Sequence, residues 1–191
     1  WPMNEELQDQ FWNIINIAAL LDESSWTSLD LLLPLLAQPA NYPNILNELE
    51  QLVQDEERQR TLIEKAVLQL NQKGYDVAIQ SSRIIEQFDE IEKYQTYSNR
   101  MDLLRLQIQS DIFPFDPILA ETFVGRANDL VASPSDEIET LEKNVATIST
   151  HLQTRLSEMN TMLRQWQSEG YTYEERLRIL PEDLLEWEHL L

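Results

Sequence analysis

The stretch from Ser133 to Gly170 constrains this chain most, because every local signal within it agrees. Ser133 suits an N-cap and Pro134 the first helical position, with Asp136 and Glu137 placed where carboxylates meet the positive end of a helix dipole. Apolar side chains then recur at Ile138, Leu141, Val145, Ile148, Leu152, Met159, Met162 and Trp166, a 3-4-3-4 spacing that keeps one stripe on one helical face for about four heptads. Gly170 is the expected left-handed stop. Roughly 36 helical residues extend about 54 Å, more than the diameter of a small domain, so the helix needs long partners. The pattern predicts an all-α fold: an elongated helical bundle or coiled coil with long helices and short terminal ones.

The rest of the chain supports that class. No alternating β-branched runs bounded by turns argue for strands. A first helix starts near Asn4, with Leu7, Phe11, Ile14, Ala18 and Leu21 on one face. Trp12, Ile15 and Ala19 widen that face enough to predict burial on two sides. Ser25 or Ser28 is expected to cap a leucine-rich segment, Leu29 to Leu36, interrupted at Pro34. Asn41 or Asn44 then caps a long helix with a stripe at Ile45, Leu49, Leu52, Ile63, Ala66 and Leu70. Glu56 and Gln59 occupy seam positions there, where burial is costly unless they are paired or solvated.

Gly74 ends or kinks that helix, and Val77, Ile84, Phe88, Ile91, Met101, Leu104 and Ile108 carry the stripe onward. Asp116 caps and Pro117 opens a shorter helix, with Leu119, Phe123, Ala127 and Leu130 on one face. A last helix begins at Pro181. Breaks at Gln38 to Asn44 and Ile112 to Pro117 divide the chain into an N-terminal helical hairpin over 1–40, a long hairpin or rod over 41–112, and the remaining helices over 113–191.

The residues offer little from which to build a catalytic site. A nucleophile needs a base held by a third group, and the sequence has two histidines, His151 and His189. The three glycines stand apart, so no Gly-rich loop cradles phosphate. Glu186 and His189 form a Glu-x-x-His of the kind found in carboxylate-bridged dinuclear sites, but a second such motif is missing. Neither Asp55 to Glu57 nor Glu137 to Glu142 has the alternating oxygen ligands and turn glycine of a calcium loop. No metal, cofactor or catalytic residue is therefore assigned. Ser133-Pro134 has the minimal form of a proline-directed phosphorylation site, at a place where phosphate would meet a helix N-terminus.

Charge narrows the partners. A formal net charge of −20, from 34 acidic and 14 basic side chains, repels nucleic acid and anionic lipid and attracts basic protein segments. No apolar run approaches the roughly 20 residues that span a bilayer. The absence of cysteine fits an intracellular compartment, cytoplasmic or nuclear. Trp1-Pro2-Met3 has no initiator Met at its head and no basic leader, so the chain is expected to be a fragment.

The leading expectation is a non-enzymatic scaffold or adaptor subunit that binds other helical chains in a hetero-oligomer. Its interface candidates are the eight stripe residues Ile138 to Trp166, the groove-filling set Leu184, Trp187 and Leu191 on the final helix, and the pair Phe113 and Phe115. The alternatives are a compact acidic bundle that binds a basic protein or peptide, and an α-helical enzyme with a metal or ligand between its helices.

Overall fold

A computed structural model describes residues 4–171 and 178–190, with side chains through Trp187. Among these residues the chain is all-helical: seven α-helices joined by 3-10 and irregular turns, without strands. It divides into two compact units, one ending at Tyr94 and one starting at Gln95. The segment Gln38 to Asn44 therefore lies inside the first unit and Ile112 to Pro117 inside the second.

In the first unit, α1 (Glu5–Ala18) packs along α3 (Tyr42–Gln72). Between them run a 3-10 turn (Glu23–Ser25), α2 (Trp26–Leu32) and a 3-10 segment (Leu33–Ala37) with Pro34 in its first turn, which shortens α2 as a ring without an N–H must. The core is Ile14, Leu21, Tyr42, Ile45 and Leu49, closed by Leu7, Phe11, Leu29, Leu32 and Leu36. Burial of α1 is narrower than its broad apolar face predicts: Ile14 is buried and Ile15 half-buried, whereas Trp12 and Ala19 are exposed. The reason is that α1 has one long mate, α3, and the leucines of 29–36 cover only the same side.

The caps also differ from expectation. Ser25 Oγ is committed to Glu56, and Asn41 donates to the Leu35 carbonyl rather than capping α3. Asp22 caps the 3-10 turn that precedes α2, accepting from the Ser24 N–H at 3.0 Å. Gly74, with φ 94°, ends α3, and the Tyr75 N–H reaches back to the Leu70 carbonyl at 3.1 Å as a left-handed helix stop requires. Residues 75–83 are not helical, so the junction is neither a tight turn nor a kink, and Val77 falls in this connector rather than on a helix.

Helix α4 (Ile84–Gln107) carries the chain into the second unit. It widens into a π turn at Ile108–Ile112, closed by the Phe113 N–H on the Ile108 carbonyl at 3.0 Å. This extra residue per turn lets Ile108 and Ile112 both reach the core. Asp116 and Pro117 open α5 (Pro117–Asp129) as expected, the carboxylate accepting from the Leu119 N–H at 2.9 Å. Its buried face is Ala120, Phe123 and Ala127.

Helix α6 starts at Glu137, later than Ser133 and Pro134 imply, because Ser135 supplies the capping oxygen for the Glu137 N–H. It runs to Ser168 and stops at Gly170, φ 90°. Against it pack the π turn and α5. A final helix, α7 (Leu184–Leu190), follows a 3-10 turn at Pro181–Asp183.

Candidate functional site

The 3-4 pattern of α6 is real, but its buried face advances faster than a heptad. Ile138, Leu141, Val145, Ser149, Leu152, Leu156, Met159 and Leu163 are buried, in steps of 3, 4, 4, 3, 4, 3 and 4. That series keeps pace with a straight helix of 3.6 residues per turn, whereas a strict 3.5 repeat lags by about 20° per heptad. Thus Ile148 and Trp166 drift to half-buried flanks and Met162 to the exposed side, while Leu156 and Leu163, outside the expected stripe, take the central places. Five of the eight stripe residues thus face the interior.

The final-helix set is docked too. Leu184 and Trp187 are buried; Leu191 lies outside the described residues. Just before them, Asn160 on α6 grips the backbone of Ile179 from both sides. Its Oδ1 accepts from the Ile179 N–H at 2.9 Å, and its Nδ2 donates to the Ile179 carbonyl at 3.1 Å. A carboxamide has the same donor and acceptor pair as a peptide unit, so one side chain satisfies both polar groups of a buried residue. Of the middle pair, Phe115 is buried and Phe113 is exposed.

The first unit has its own polar knot. Glu56 is buried on α3, yet its Oε1 accepts from the Asp22 N–H at 2.8 Å and from Ser25 Oγ at 2.5 Å. Asp22 in turn accepts from the Ile84 N–H at the start of α4, 3.2 Å, with Arg60 at 3.8 Å. Burial pushes the Asp22 carboxyl up, but the Ser24 and Ile84 N–H groups, helped by Arg60, outweigh it and hold the pKa below its ordinary value. Hence the seam position that looked weakest in the sequence ties the 22–25 turn to α3, and through Asp22 to α4.

Open grooves lie among the described residues of the second unit, two of them beside α6. One, about 370 Å³, sits between the end of α5 and the start of α6, lined by Arg126, Asp129, Leu130, Glu137, Thr140, Leu141 and Asn144. The other, about 340 Å³, sits between α4 and α6, where Leu103, Leu104 and Ala146 meet Arg100, Gln107, Glu142 and Lys143. Arg100 closes one side of it by a two-pronged pair with Glu142, at 3.0 and 2.6 Å. That hydrogen-bonded pairing raises the Arg100 pKa above its ordinary value.

Helix α4 is apolar on both sides of this groove. Met101, Leu104 and Ile108 are buried, whereas Leu103 and Leu106, three residues apart, are 67% and 65% exposed. The sequence pattern marked the inner row and passed over the outer one, although an i, i+3 leucine pair was there to be read. Among the described residues no group of three or more His, Asp or Glu is placed to hold a metal, and His151 is exposed. The side chain of His189 lies outside the described residues. No helix among them is long and apolar enough to cross a membrane. No protein-family model, no curated protein and no solved structure matches this chain.

Proposed function

We propose that the chain is a non-enzymatic helical scaffold or adaptor subunit of a larger intracellular assembly, and that it binds partner helices. One observation carries the reading: α4 presents Leu103 and Leu106 to solvent beside an open groove while its opposite row is already buried. Soluble helices normally confine large apolar side chains to one stripe, and an uncovered second row marks a place where another helix packs. The spent inner face of α6 directs that contact to the α4 side of the groove, where Leu103 and Leu106 remain available as apolar anchors.

The test begins with proteins retained by the chain at its native level, followed by reconstitution of the complex from purified components. Wild type should form a complex of defined mass by light scattering. A Leu103→Ser, Leu106→Ser double variant should melt like wild type and bind the partner at least about tenfold more weakly, the scale of one interface hot spot. A variant that binds undiminished, or a wild-type chain that forms no defined complex with any purified candidate, would remove the reading.

A further inference from the structure

The first unit has an uncovered surface of its own, and its chemistry differs from that of the α4 row, which belongs to the second unit. No Lys, Arg or His occurs before Arg58, and the same 57 residues contain eleven Asp and Glu. On this purely acidic stretch the structure leaves large apolar side chains in solvent. Leu20 is 83% exposed, Leu31 74%, Trp12 54% and Trp26 51%, and Leu33 and Leu35 are also exposed. None belongs to the core, which is filled from the other side of the same segment by Leu29, Leu32 and Leu36.

Carboxylates are interleaved with these side chains. Asp9 precedes Trp12 by three residues on α1, and Asp30 follows Trp26 by four on α2 and adjoins Leu31; both acids are exposed. Asp30 also precedes Leu33 by three residues. Trp and Leu supply large contact area; Asp22 and Glu23 of this segment are taken up by Arg60 and Arg83, and the exposed Asp9 and Asp30 supply the negative charge beside the apolar side chains.

We infer that the exposed side of the 26–33 segment docks a basic amphipathic helix of another protein: leucine-type side chains pack on Trp26, Leu31 and Leu33 while flanking Lys or Arg pair with Asp30. Charge decides the occupant. An acidic or neutral helix gains the apolar contact without the attraction, and an anionic lipid surface is repelled. A basic segment without an apolar face gains only screened, exposed ion pairs, each worth little. The site shares no residue with the α4 surface, so either can fail without the other.

Three synthetic helices of equal length test this with the full chain at about 0.15 M salt. The first is an amphipathic Leu/Lys helix, the second has the same composition with its leucines scattered around the helix, and the third replaces Lys by Glu. The first should bind at least about tenfold more tightly than either other, by calorimetry. Trp26→Ser with Leu31→Ser and Leu33→Ser should abolish that preference with the melting temperature unchanged. Leu103→Ser with Leu106→Ser should leave it intact, which separates this site from the α4 one.

Should the triple variant melt early, the exposed Asp30→Lys substitution replaces it and should weaken the first helix several-fold. Equal binding of the first and second helices would reduce the effect to net charge and overturn the proposal. So would undiminished binding by the variants, no binding of the first helix, or capture of phosphatidylcholine vesicles in preference to it.

Discussion

At the scale of single residues, the side chains that matter most are polar ones inside apolar surroundings. Asn160 holds both backbone groups of Ile179, and its Nδ2 also donates to the Leu156 carbonyl at 2.9 Å, so Asn160→Asp keeps the acceptor but turns a donor toward two carbonyls into a charge facing them. We expect a loss of about 1 to 3 kcal/mol, the cost of stranding buried hydrogen-bonding groups. Native-state hydrogen exchange checks it, since the Ile179 amide should exchange faster in the variant while amides of α1 do not change.

Asp22 gives a pH signature. Its folded pKa lies below the ordinary 3.8, so its contribution is fully present above that value and is lost as pH falls through the lower folded value. Asp22→Asn keeps one oxygen for the Ser24 N–H but turns an amide donor toward the Ile84 N–H, and should therefore cost about 1 kcal/mol at pH 6, the scale of one hydrogen bond. Urea melts of variant and wild type should converge as the pH drops below 3.8. Glu56 shows how far such sites are legible in a sequence. Its position in the α3 stripe announces that it needs a partner, but nothing local says that the partner lies 34 residues upstream. Asn160 gives no warning at all, because an Asn beside a seam residue is ordinary on a solvated helix face.

At the scale of elements, helix ends separate what short-range chemistry decides from what it leaves open. Asp116-Pro117 works as read, since a carboxylate one residue before proline has few other hydrogen-bonding choices. Ser133-Pro134 does not, because Ser135 offers a competing oxygen two residues later and the helix begins where that bond forms. The stripe of α6 is legible as a stripe but not in its later register, since a small error in assumed period accumulates over several turns.

The glycines provide a matched test of the helix account. Gly125 lies within α5 with open space where a Cβ would stand, while Gly170 has equal room but a φ of +90°. Gly125→Ala should stabilise by roughly 0.5 to 1 kcal/mol, and Gly170→Ala should destabilise by about 1 kcal/mol or more. Thermal melts of the two variants should move in opposite directions.

At the scale of the whole molecule, charge sets the balance. The pairs Arg58 with Asp55 and Lys143 with Glu139 are local and exposed, so solvent and salt screen them and each contributes little. Against them stands the mutual repulsion that accompanies a net charge of −20. Repulsion between surface charges acts over a Debye length, about 30 Å at 0.01 M salt and 10 Å at 0.1 M. The melting temperature should therefore rise as sodium chloride is raised across that interval. A fall would mean that attractive pairs outweigh the repulsion.

Composition foretold this acidity. The division into two units did not emerge from it, because the boundary falls within the continuous helix α4 and leaves no proline or glycine to mark it. The acidic face of the first unit has one more consequence, for the reagents that meet it. With its first lysine at position 65 and its first arginine at 58, α1, α2 and the turns between them contain no side-chain amine for ubiquitin conjugation or amine-reactive cross-linking. Trypsin likewise finds no bond to cut there, folded or unfolded. A partner seated on this face would escape amine-based capture, and carboxyl-directed coupling is the chemistry that would record it.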